Sequence, residues 1–125
     1  MSIIHLTQKL ARSIGVPRTG NTSDLADETI LGPWTAKPIY LARKRYVLFI
    51  NDRTLLTALV SYAPKDTLFE KFADNLQLQL ESLFIEKNAA RREAQSYRNP
   101  ALDTKTNRSI LGSLNDMAYQ YFTIL

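Results

Sequence analysis

Two apolar runs, Ile39-Tyr40-Leu41 and Tyr46-Val47-Leu48-Phe49-Ile50, flank the tripeptide Arg43-Lys44-Arg45. Short runs of aromatic and branched residues on either side of a charged break of turn length predict a β-hairpin with a basic turn. The second run is apolar at every position from Tyr46 to Ile50. A strand of that kind has no face to give to water, so it belongs in the middle of a sheet with helices over at least one side.

Helical segments to cover it are present on both sides of the hairpin. Ser2 to Leu6 reads as a short strand, with Ile4 and Leu6 on one face and Ile3 and His5 on the other. Thr7 is suited to cap a helix over Gln8–Ile14, which Gly15 ends. Val16 to Ile30, with Pro17, Gly20 and many small polar residues, predicts a long surface loop. After the hairpin, Asn51 or Asp52 is suited to cap a helix carrying Leu55, Leu56, Leu59 and Val60, stopped by Pro64. Asp66 opens a longer helix whose stripe is Leu68, Phe69, Phe72, Leu76, Leu80, Leu83 and Phe84. Glu86 to Tyr97 predicts a surface helix ending before Pro100. A last amphipathic helix starts near Ser109, with Ile110, Leu114, Met117, Tyr121 and Leu125 along one side. The expected fold is α+β: one domain over residues 1–125, a small, mostly antiparallel sheet with a central hairpin, and four or five helices.

Composition removes most chemistries. The 125 residues include no cysteine and one histidine, so thiol nucleophiles, thiolate metal sites and multi-histidine metal sites are out of reach. No apolar run approaches the roughly 20 residues of a membrane span, and no signal peptide is visible. A cytoplasmic protein without cofactor or membrane contact is the expectation. The net charge of +4 is uneven: residues 1–50 carry seven cations against three acids, residues 51–86 three against six, and residues 87–125 six against three. Such a balance is compatible with an anionic partner.

Catalytic constellations are sparse. His5 lies in an expected strand and reads as a packed or part-exposed side chain. Asp66, Glu70 and Asp74 share a helix face that reads as solvated. The four glycines, at 15, 20, 32 and 112, form no phosphate cradle. Trp34 follows the long loop and reads as its anchor to the core. Arg91, Arg92 and Arg98 read as a solvated helix face. The densest cationic cluster is Arg43, Lys44 and Arg45, bracketed by Tyr40 and Tyr46. Such a tip can reach phosphates while a tyrosine stacks on a base. Its alternative is a solvated turn whose charges discourage pairing at the sheet edge.

On the last helix, Arg108, Gly112, Asn115, Asp116 and Tyr119 fall opposite the apolar side. Glycine inside a helix costs about 1 kcal/mol relative to alanine, which implies a close approach at Gly112. Either another part of the chain crosses there, with Arg108 and Asp116 bonding its backbone, or a partner does, met by donors and a ring from Arg108, Asn115 and Tyr119.

The closing stretch Thr106-Asn107-Arg108-Ser109-Ile110-Leu111-Gly112-Ser113-Leu114-Asn115-Asp116 resembles the closing motif of an uncharacterised bacterial family, a domain of unknown function in small free-standing proteins. Ile4-His5-Leu6-Thr7-Gln8-Lys9-Leu10, Leu31-Gly32-Pro33-Trp34, and Tyr46 to Asn51 followed by Thr54-Leu55 are similar to its other signatures. The chain departs from the family at Pro33, where an acidic residue is usual, and at Thr35, where a polar aromatic is usual. The resemblance implies an α+β domain of prokaryotic or mobile-element origin and no particular reaction.

The sequence therefore leads to the expectation of a non-catalytic binding or regulatory protein. Its partner would be a protein or nucleoprotein assembly, for example a host defence complex that it inhibits, met through the basic tip and the polar side of the last helix. The competing expectation is a histidine-independent ribonuclease of the mRNA-cleaving toxin type, built on Arg43, Lys44, Arg45, Tyr40 and Tyr46.

Overall fold

The expected hairpin forms the middle of a five-stranded sheet. In the computed structural model, which describes residues 2–15 and 29–103, the elements are β1 (Ile3–Leu6), α1 (Gln8–Ile14), β2 (Trp34–Leu41), β3 (Lys44–Asn51), β4 (Thr57–Ser61), a 3-10 turn (Lys65–Thr67), α2 (Leu68–Ser82), α3 (Lys87–Gln95) and β5 (Ala101–Asp103). The strand order is β4-β3-β2-β1-β5. The long loop except for Thr29 and Ile30, and the last helix with Arg108, Gly112, Asn115, Asp116 and Tyr119, lie outside the described residues.

β2 and β3 pair antiparallel from Trp34 opposite Asn51 to Leu41 opposite Lys44. Only Ala42 and Arg43 make the turn, both with positive φ (49° and 67°), as a two-residue hairpin connection requires. Lys44 and Arg45 therefore belong to β3 and not to the turn.

The sheet is mixed, not mostly antiparallel. β3 pairs antiparallel with β2 and β4, whereas β1 pairs parallel with β2 and β5. The cause is connectivity: α1 carries the chain from β1 towards β2, and parallel neighbours need such a crossover. Thr7 caps α1 through its hydroxyl, and Gly15 ends it in the left-handed region at φ 81°, as its sequence indicated.

One expected helix is a strand. Leu55, Leu56, Leu59 and Val60 have helical spacing, yet Thr57–Ser61 is β4. Asn51 decides the outcome. Its Oδ1 accepts the backbone N–H groups of Arg53 and Thr54 at 3.0 and 2.9 Å, turning the chain back on itself. Leu55 then takes φ 62°, outside any right-handed helix. The described residues contain three α-helices; the further one expected within them is β4, and the last expected helix lies outside them.

One face of the sheet carries the main core. Ile4, Leu6, Trp34, Ala36, Val47, Phe49, Ala58 and Val60 meet Leu10 of α1, Leu68, Phe72, Leu76 and Leu80 of α2, and Ala90 of α3. Trp34 is fully buried, edge-on to Phe72 at 4.9 Å and to Tyr97 at 6.1 Å, so it does anchor the start of β2. On the other face Ile39, Leu41, Leu48 and Ile50 form a second apolar cluster. The apolar stripe of α2 stops earlier than its periodicity suggests: Leu83 and Phe84 lie past the helix end and are exposed. α3 is more than a surface helix, since Ala90, Glu93 and Ala94 are buried.

Two carbonyls on the outer edge of β4 are taken by side chains of α2. Gln79 Nε2 donates to the Thr57 carbonyl at 2.7 Å, and Lys71 Nζ donates to the Ser61 carbonyl at 2.7 Å.

The buried Glu93 carboxylate accepts the backbone N–H groups of Ile30 at 3.1 Å and Leu31 at 2.6 Å. Replacing it by alanine strands both donors, each worth about 1–3 kcal/mol when left unsatisfied. Urea unfolding should show Glu93→Ala losing about 3 kcal/mol, and Glu93→Gln losing less because one acceptor remains.

Candidate functional site

At the hairpin end of the sheet, β3, the end of β4 and α1 bring cations and tyrosines together. Alternation along β3 sends Arg45 to the helix side, opposite Tyr40 in the register. The Arg45 guanidinium lies 4.1 Å from the centre of the Tyr62 ring and 5.9 Å from that of Tyr40. Its Nη2 donates to Ser13 Oγ at 2.9 Å, and Ser13 Oγ is 2.7 Å from the Tyr62 hydroxyl. Arg45 is therefore tied to two strands and a helix.

Lys44 and Tyr46 point to the other side of the strand, where Tyr46 pairs with Ser61 across β3 and β4. Together Lys44, Arg45, Tyr46, Ser61, Tyr62 and Ala63 line a groove of about 480 Å³. Arg43 and Lys44 are exposed, and Tyr40 is half-exposed. Lys71, by contrast, directs its ammonium to the carbonyls of Ser61, Ala63 and Pro64. The arrangement offers positive charge, ring faces and a hydroxyl, with no carboxylate among the lining residues. That is the equipment for holding an anionic group beside a planar or apolar one.

Of the tip residues singled out in the sequence, Arg45 lies beside Tyr40 and shares the groove with Lys44 and Tyr46, whereas Arg43 and Tyr40 are not among the residues that line it. Arg108, Asn115, Asp116 and Tyr119 lie outside the described residues. Tyr62 and Ser13 were not legible as site residues. Tyr62 continues the alternation Ala58, Val60, Tyr62, a signal visible only if that segment is read as a strand. Ser13 carries no signal of its own.

A second polar cluster joins β1, β2 and the β3–β4 turn. The Thr35 hydroxyl donates to Asp52 Oδ1 at 2.7 Å, and His5 Nε2 lies 3.8 Å from Asp52 Oδ2. Burial pushes the Asp52 carboxyl up from its ordinary value, while the Thr35 hydrogen bond and nearby His5 act the other way. Among the described residues no group of three or more His, Asp or Glu side chains could hold a metal ion, and no helix is long and apolar enough to cross a membrane.

Two outcomes follow from this geometry. Arg45→Ala should lower stability by about 1 kcal/mol, because the guanidinium no longer packs on the rings or bonds to Ser13, while Arg43→Ala and Lys44→Ala stay within about 0.5 kcal/mol of the parent. For Asp52, a carboxyl raised on folding stabilises the native state at low pH. That contribution is lost as pH rises through the folded-state value. Asp52→Asn keeps an acceptor for Thr35 and removes the buried charge. Its urea midpoint should exceed the parent's at neutral pH, and the difference should vanish below about pH 3.9, where both side chains are neutral in both states.

No curated protein and no solved structure matches the chain. Residues 3–125 match the model of a domain of unknown function, DUF6933, and the chain belongs to that family.

Proposed function

We propose that this is a small binding protein that engages an anionic partner, a protein or a nucleoprotein assembly, through the groove beside the β2–β3 hairpin. The observation that carries the reading is the division of labour among its cations. Arg45 is immobilised on Tyr62 and Ser13, whereas Arg43 and Lys44 project into solvent at the rim of a groove that also holds Tyr46 and Ser61. Fixed rings beside exposed positive charge favour contact with phosphates or acidic side chains over burial in the protein's own core. Arg108, Asn115, Asp116 and Tyr119 enter this reading as sequence candidates for a continuation of the surface. A cytoplasmic setting and a prokaryotic or mobile-element origin accompany it as expectations from sequence.

The test uses the double variant Arg43→Ala/Lys44→Ala, which spares the structural Arg45. Fluorescence anisotropy would follow binding of a labelled single-stranded RNA and, separately, of a polyglutamate peptide. Binding of at least one probe should weaken steeply between about 50 and 200 mM salt, by counterion release when the probe is RNA. The double variant should bind that probe at least about tenfold more weakly. Its salt slope should also be shallower, by roughly one unit for each phosphate that is no longer neutralised. Binding insensitive to both the salt and the variant would move the interface elsewhere, and shortening of the RNA would favour the ribonuclease reading.

A further inference from the structure

A guanidinium carries five N–H donors in a planar fork. Arg45 uses one of them, from Nη2 to Ser13 Oγ at 2.9 Å, and its guanidinium lies over the Tyr62 ring at 4.1 Å. Tyr62 is itself buried, and its hydroxyl donates to the Ser13 carbonyl at 3.2 Å. The tether that makes Arg45 structural therefore also aims it. The side chain is nonetheless exposed. Among the described residues no carboxylate pairs with Arg45, Arg43 or Lys44. A long cationic side chain normally loses rotamer freedom when a ligand fixes it; here the fold has fixed it beforehand, with the remaining donors unused. Such a fork is preorganised for an oxyanion and takes two oxygens of one group side by side.

The surroundings of the fork narrow the kind of oxyanion. The strand order puts Tyr40 on β2 to one side of Arg45, opposite it in the register, and the groove between β3 and β4 to the other. The Tyr40 ring is 50% exposed and its centre lies 5.9 Å from the guanidinium. Tyr46, half-buried, lines the groove. A ring thus stands on each side of a fixed cation. The groove, about 480 Å³, is far larger than a carboxylate and lies within the range of small-ligand pockets.

We infer that the occupant is a single-stranded nucleic acid, one phosphate forked by Arg45 and the bases on either side of it stacked on Tyr40 and on Tyr46. This rests on the reading of the groove given above and narrows its anionic partner to one class. The succession ring, cation, ring is what selects it, because proteins that hold single strands stack successive bases on aromatic faces along a positive track. An acidic peptide would satisfy the fork and leave both rings without a planar partner. In a double helix the bases stack on one another and are not offered to side chains. Arg43 and Lys44, exposed and next to Arg45 in the chain, meet the neighbouring phosphates.

The test is fluorescence anisotropy with three labelled probes: a short single-stranded RNA, an abasic strand of the same length, and a polyglutamate peptide of the same charge. The variants are Arg45→Lys, which keeps the charge and loses the fork, and Tyr40→Leu, which removes an exposed ring. The parent should bind the RNA at least about tenfold more tightly than either other probe, and Arg45→Lys should lose about tenfold on the RNA. Tyr40→Leu should weaken the RNA at least about fivefold and leave the abasic strand within about twofold. It should melt at the parent's temperature, so its result stands even where Arg45→Lys loosens the fold. Equal binding of RNA and abasic strand, or a preference for polyglutamate, would overturn the inference and leave the groove reading in place. So would RNA binding that falls in Arg43→Ala/Lys44→Ala but matches the parent in Arg45→Lys and Tyr40→Leu. A parent that binds none of the probes would remove both.

Discussion

The Glu93 carboxylate is the contact from which the order of the described chain follows. It holds the N–H groups of Ile30 and Leu31 on α3, while the Tyr97 hydroxyl donates to the Gly32 carbonyl at 2.7 Å and Asn51 Nδ2 donates to the Leu31 carbonyl at 3.0 Å. Residues 30–32 are thereby stapled to a helix on one side and to the end of β3 on the other. Gly32 sits at φ 81°, and a Cβ there would lie 2.8 Å from Arg53 Nε. Trp34 enters the core two residues later, already aimed at Phe72 and Tyr97. The segment that leads into β2 is thus held from the helical layer, by an acid on α3 that accepts two of its backbone N–H groups.

A comparable division governs the cations at the other end of the sheet. Arg45 stabilises, Lys71 closes carbonyls, and Arg43 with Lys44 remain in solvent. Charge counts taken from the sequence treat the four alike. Only their partners distinguish them, and those partners come from α1, β4 and the segment after it.

Legibility followed the range of the deciding contact. The span of α1 could be read because its signals are local: Thr7 bonds three residues ahead and Gly15 ends the helix on its own. The hairpin could be read for the same reason. β4 could not, because leucines at Leu55, Leu56 and Leu59 satisfy a helical spacing, and what overrules it is the side chain of Asn51. The stripe of α2 was overrun at Leu83 and Phe84 because apolar periodicity continues past the residue at which the backbone turns. β5 is three residues long, too short to carry a pattern. Within the site, the basic tripeptide was visible as a cluster, but the clasp of Arg45 depends on Ser13 and Tyr62, which lie 49 positions apart. The His5–Thr35–Asp52 cluster was hidden likewise, its members being spread over two strands and a turn.

The occupied carbonyls on the edge of β4 have a consequence for how anything can be recognised beside it. Strand addition needs a row of free main-chain donors and acceptors, and on this edge Gln79 and Lys71 already occupy the carbonyls of Thr57 and Ser61. With two of its outward carbonyls taken, this edge is a poorer backbone template, and a partner arriving at the neighbouring groove meets chiefly side chains. Main-chain pairing tolerates almost any sequence on both sides, whereas side-chain recognition does not. Related chains that serve different partners would then be expected to differ at the positions of Arg43, Lys44, Tyr46 and Ser61 while keeping the glutamine and lysine that occupy those carbonyls.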